Sequence, residues 1–87
     1  MKVILLSHAK DQCRERGIKK NIIEETVFNP DQIIEEKEGK KIAQKKIFDE
    51  EKKKNYLIRA IFKEENDRRI VITLYKTSKV QKYWRSE

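Results

Sequence analysis

The sequence predicts a single α+β domain over residues 1–87, with two N-terminal helices packed on an antiparallel sheet of four to five strands in the order β-α-α-β-β-β-β. Apolar residues recur at helical spacing only between Ser7 and Phe28. From Gln32 onward they come instead in short runs rich in β-branched and aromatic residues, which is the pattern of strands. Turn-forming residues separate the segments, and no Gly/Ser/Pro-rich linker divides the chain. With 87 residues, two separate cores would each be too small to stand alone.

Met1 to Leu6 reads as a strand, with Val3-Ile4-Leu5-Leu6 continuous enough to be buried on both faces. Ser7 is placed as the N-cap of a first helix that runs to Arg16, with Ala9 and Cys13 on its inner side. Gly17 suits the left-handed position that ends it, and Arg14 and Arg16 oppose the negative end of the helix dipole. A second helix spans about Lys19 to Phe28, where Ile18, Ile22, Ile23 and Val27 share one side. Asn29-Pro30 closes it, because the residue before proline is pushed out of the α region. Gln32–Glu36 is a short strand, followed by a turn at Lys37-Glu38-Gly39-Lys40. Lys41 to Asp49 is a polar strand expected near an edge or exposed on one face. Asn55–Lys63 and Arg69–Lys76 are the most apolar strands and should be neighbours at the sheet centre, with Ile72 in the core.

Lys+Arg 22 against Asp+Glu 15 leaves a net charge of +7. A balance of this sign points to a polyanion or an acidic protein partner. The longest uncharged run, Val3 to Ala9, is far below the roughly 20 apolar residues of a membrane span. It follows only Met1-Lys2 and lacks a cleavage-site pattern, so no signal peptide is expected. One cysteine, Cys13, allows no disulfide framework and points to the reducing cytoplasm. With one His and one Cys no zinc site is expected, and with two glycines no dinucleotide or P-loop motif can form, so no cofactor is expected.

His8, the only histidine, sits where the first helix begins and where anions are favoured. It is either an acid/base group or a locally hydrogen-bonded junction residue. Arg16 either clamps a phosphate with its planar fork or only opposes the helix dipole. Arg59 is a charge inside an otherwise apolar strand, so it either pairs with Glu24 or Glu25 or faces a functional groove. Between Lys76 and Arg85 the chain carries Lys76, Lys79, Lys82 and Arg85 beside Tyr83 and Trp84, without an acidic residue. Basic residues track phosphates and aromatic rings stack on unpaired bases, so these six are the RNA-binding candidates. The competing reading has Tyr83 and Trp84 covering one end of the core. Cys13 is expected to be core.

Ser7-His8-Ala9, Arg16-Gly17-Ile18, a helix ending at Asn29-Pro30, and a strand Val71-Ile72-Thr73-Leu74-Tyr75 resemble together a small bacterial family of unknown function. Its opening motif is H-A-x-x-R-x-x-x-R-G-I, and it is grouped with the RelE/ParE toxin superfamily and its BrnT-like ribonuclease toxins. Gln12 stands where the motif has its first arginine. The resemblance implies a RelE/ParE-like fold and the toxin component of a type II toxin–antitoxin system. It further implies a metal-independent endoribonuclease cleaving mRNA, and an acidic antitoxin that covers the site. On that reading His8 is the acid/base, Arg16 and Arg59 stabilise the phosphorane charge, and Tyr75 positions or protonates. The alternative is a non-catalytic basic module of the same fold that binds RNA or protein.

Overall fold

The computed structural model describes residues 2–85. Its elements are β1 (Lys2–Leu5), α1 (Ser7–Arg16), α2 (Lys20–Phe28), β2 (Gln32–Glu35), a 3-10 turn (Lys37–Gly39), β3 (Lys41–Asp49), β4 (Lys54–Glu65), β5 (Arg68–Thr77) and α3 (Val80–Tyr83). The α+β class is as expected, but the sheet is mixed rather than antiparallel. Its five strands run in the order β1-β5-β4-β3-β2, and β1 pairs parallel with β5, Leu5 opposite Val71. A meander accounts for β2 to β5. The first strand then has only two free edges to join, and it takes the one beside the last strand. Val3, Ile4 and Leu5 are accordingly half-buried at an edge, not enclosed on both faces.

Local chemistry explains most element boundaries. Gly17 ends α1 at φ 63°, and Arg14 and Arg16 lie in the last turn. Ser7 is the first helical residue and not the cap; no side chain caps this terminus. The β4–β5 hairpin closes over Asn66 and Asp67, at φ 49° and 60°. Two left-handed residues between a Glu65–Arg68 pair match the twist of the strands they join. The C-terminus of α2 has no basic residue in its last turn, so its carbonyls find cations from the sheet. Lys45 Nζ donates to Asn29 O at 2.9 Å, and an Arg69 Nη1–Val27 O hydrogen bond is also present.

Strand alternation sorts the sheet into two faces. One carries Ala43, Ile58, Ala60, Phe62, Val71 and Leu74, which form the main core with Ala9 and Cys13 of α1 and Ile23 and Val27 of α2. Burial pushes the Cys13 thiol pKa up, in keeping with an inert core residue. The register breaks once. Ile61 faces Thr73 and Phe62 faces Val71, so Ile72 is an extra residue in β5. Ile72 is therefore half-buried, outside the main core, against the expectation for a mid-strand isoleucine. Past Leu5 the edge of β5 is open, and Gln12 of α1 closes it: its Oε1 accepts from Leu74 N at 2.7 Å and Thr73 Oγ1 at 2.8 Å.

Leu74 is fully buried in the main core. Leu74→Ala should destabilise the protein by about 2–5 kcal/mol, and Ile72→Ala by clearly less. Urea denaturation of both variants checks the order, and equal losses would mean that the bulge does not exclude Ile72 from the core.

Candidate functional site

On the second face of the sheet, Ile42 and Gln44 of β3, Leu57 and Arg59 of β4, and Tyr75 of β5 alternate with the core residues. Arg59 lies at the middle of this face and is only 8% exposed. A guanidinium stays charged in any protein setting, and burying it costs several kcal/mol unless it is paired and hydrogen-bonded. Among the described residues no carboxylate lies within ion-pair distance of Arg59. Glu25 pairs instead with Lys45, at 3.6 Å. The partners of Arg59 are all neutral. Its Nε donates to Gln44 Oε1 at 2.6 Å, Nη1 donates to Tyr75 Oη, and the Tyr83 ring lies 4.3 Å from Cζ.

Gln44 is fully buried and links this cation to the rest of the face. While its oxygen accepts from Arg59, its Nε2 donates to Gln32 Oε1 at 3.0 Å and to Tyr83 O at 3.2 Å. Gln32 continues the chain: its Oε1 accepts from Arg85 N at 3.1 Å, and its Nε2 donates to Arg85 O. The C-terminal segment is thereby held across the second face. Tyr83 meets Tyr75 edge to face at 6.2 Å, and Lys46 Nζ sits 3.8 Å above the Trp84 ring. Tyr75 accepts from Arg59, and among the described residues nothing accepts its own hydroxyl proton.

The four catalytic candidates do not form one constellation. Arg59 and Tyr75 are hydrogen-bonded partners. His8 and Arg16 are exposed near opposite ends of α1, about 12 Å apart along the axis at 1.5 Å per residue. Among the described residues neither side chain makes a hydrogen bond or ion pair. The six RNA-binding candidates also divide. Lys76 lies on the helix-covered face, 3.7 Å from Asp49 Oδ2 and 4.3 Å from the Tyr56 ring. Lys79 precedes α3, Lys82 and Tyr83 end it, and Trp84 and Arg85 follow. Tyr83 and Trp84 are half-buried and already have cations against their rings.

Three participants escaped the sequence analysis: Gln44, Gln32 and Lys46. In a strand as polar as β3 a lone glutamine looks solvent-facing. The available signal was Arg59 itself, whose buried charge needs acceptors from the strands on either side. Gln44 and Tyr75 are its direct cross-strand partners. Among the described residues no cluster of His, Cys, Asp and Glu could hold a metal ion, and no helix is long and apolar enough to cross a membrane.

Gln44→Met keeps the bulk but leaves Arg59 Nε buried without an acceptor, so it should cost about 2–3 kcal/mol in urea denaturation. A loss under about 0.5 kcal/mol would mean that Arg59 is not committed to Gln44. A second expectation concerns acid. Lys52 N–H above all, together with Glu51 N–H and Lys76, holds the Asp49 carboxyl below the usual carboxylate range. The folded state therefore favours the ionised form. This contribution is present above the unfolded value of about 3.9 and is lost as pH falls through the folded one. The protection of the Glu51 and Lys52 amides, measured as exchange relative to the intrinsic rate at each pH, should fall on acidification in that window, and Asp49→Asn should remove the dependence.

No curated protein and no solved structure matches this chain. A family model does: its matched residues, 5–76, contain His8, Arg16, Arg59 and Tyr75 and stop before α3. The chain belongs to the family described as Domain of unknown function (DUF4258).

Proposed function

We propose that this protein is a metal-independent endoribonuclease of the toxin type, acting on mRNA in the cytoplasm and held in check by an acidic antitoxin. The observation that carries the reading is the Arg59–Tyr75 pair. A nearly buried cation with no carboxylate partner among the described residues, and a hydroxyl whose proton has no acceptor among them, stand side by side in a chain of net charge +7. That pair suits a phosphodiester. In the reaction the 2′-hydroxyl loses its proton to a base and attacks the adjacent phosphorus. Arg59 stabilises the charge on the non-bridging oxygens, and Tyr75 protonates the departing 5′-oxygen. The products are a 2′,3′-cyclic phosphate and a 5′-hydroxyl. The base is water, because α1, which carries His8, packs on the opposite face of the sheet from Arg59 and Tyr75.

Two observations favour a second reading, that of a non-catalytic RNA- or protein-binding module. His8 and Arg16 make no contact with the Arg59–Tyr75 pair, and Tyr83 lies over Arg59.

Inducible expression of the protein alone should arrest growth and generate new transcript 5′ ends. Tyr75→Phe removes one oxygen from a half-buried ring and should lower cleavage by about 10²–10⁴-fold. It also takes an acceptor from Arg59, so its thermal midpoint should fall too, and the rates are compared at a temperature where both proteins are folded. His8→Ala should cleave at the wild-type rate, and a loss as large as that of Tyr75→Phe would mean that the reaction does not run at the Arg59–Tyr75 pair. EDTA should leave the rate unchanged, because Arg59 and Tyr75 supply the charge and the proton. If the wild type binds RNA without cutting it and without effect on growth, the binding module is the correct reading.

A further inference from the structure

We propose that residues 79–85 form a strap that closes over the Arg59 site and must lift before RNA can reach it, so that the arrangement seen here is autoinhibited. This rests on the reading of Arg59 as the group that meets phosphate. At 8% exposure the guanidinium has no room for a phosphate while the strap is down. Its cover is the Tyr83 ring, 4.3 Å from Cζ. That ring is not free to stack on a base, because it faces Arg59 and meets the Tyr75 ring edge to face.

The fastening is weak by construction. Helix α3 has only four residues, and apart from the aromatic contacts of Tyr83 and Trp84 one glutamine at each of two points holds the segment down. Gln32 exchanges two hydrogen bonds with the Arg85 backbone, and Gln44 donates to Tyr83 O. All three bonds are neutral, and such bonds add little net stability each because water offers the same partners. Among the described residues no ion pair joins the strap to the sheet. Charge also works against closure. Lys79, Lys82 and Arg85 bring three cations onto a face that already holds Arg59 and Lys46, and among the described residues the aromatic rings of Tyr83 and Trp84 soften the repulsion. A polyanion reverses that balance, since it neutralises both sides and takes the place of Tyr83 on Arg59. The family match also ends at residue 76, before the strap begins.

A ligand that binds only the open form has its apparent affinity reduced by the fraction of molecules that are open. Loosening the strap should therefore strengthen RNA binding, whereas a strap that served as the RNA contact would bind less well when cut back. The probe is a short 2′-O-methyl oligouridylate, which lacks the attacking hydroxyl and cannot be cleaved, at fixed ionic strength. Tyr83→Ala and Gln32→Ala, which loosen the strap at different points, should each tighten binding by about three- to tenfold. Trp84, the only tryptophan, reports the movement: its acrylamide quenching should rise when the probe is added to the wild type. Weaker binding by both variants, or quenching unchanged at saturating probe, overturns the strap. Arg59→Lys tests the underlying reading separately, with a urea midpoint to show that it folds. If folded Arg59→Lys binds the probe as well as the wild type, or no protein binds it, Arg59 does not meet phosphate and both readings fall. Binding that depends on Arg59 but weakens in Tyr83→Ala removes the strap alone.

Discussion

A single buried cation organises the second face of the sheet. Arg59 projects from the middle of β4 into a space with no carboxylate among the described residues, and its charge is dispersed over an amide oxygen, a phenol and an aromatic ring. Each of those groups is then committed. Gln44 presents its oxygen to Arg59, so its nitrogen must face away, toward Gln32 and the Tyr83 carbonyl. Tyr75 accepts, so its proton is left over. The Tyr83 ring lies against the guanidinium and brings the C-terminal segment with it. An aspartate in place of Gln44 would balance the charge and remove the attraction for an outside anion. Neutral partners keep the site electropositive.

The helix-covered face obeys a different rule. Its core is apolar, and its polar residues act at the places where regular structure ends. Lys45 and Arg69 supply donors to the C-terminal carbonyls of α2, and Gln12 supplies an acceptor to the β5 edge that β1 leaves open. The Gln12 contact gives that position a structural task, since a buried strand N–H without a partner would cost free energy. It also fixes the axial position of α1 relative to β5, and with it the place of His8 one turn earlier.

Much of the site was legible from composition and pattern, but only as separate parts. Arg59 stood out because a charge inside an apolar strand demands an explanation, and the demand was real. The explanation was not the expected one: the two glutamates on α2 lie across the sheet from Arg59, and the acceptors come from β3 and β5. Tyr75 entered only through the family resemblance, which could not show that it faces Arg59. The C-terminal lysines and aromatics read as one basic stretch, yet Lys76 looks to one face and Tyr83 to the other. A count of charges along the chain carries no information about which face of a sheet each one occupies.

Local chemistry accounts for what the amino-acid order could settle unaided. Helix ends at Gly17 and before Pro30, the apolar stripes of α1 and α2, and the pairing of β4 with β5 depend on neighbours within a few residues. Their physics is short-ranged: a left-handed φ, a proline ring and a two-residue turn. The parallel docking of β1 on β5, the bulge that displaces Ile72 and the closure of the last residues over Arg59 join segments that are far apart in the chain. Nothing in a local pattern distinguishes one free sheet edge from another, because both offer the same backbone groups. The choice falls to the packed whole, where α1 must reach Leu74, the core must fill, and a buried charge must find every partner it has.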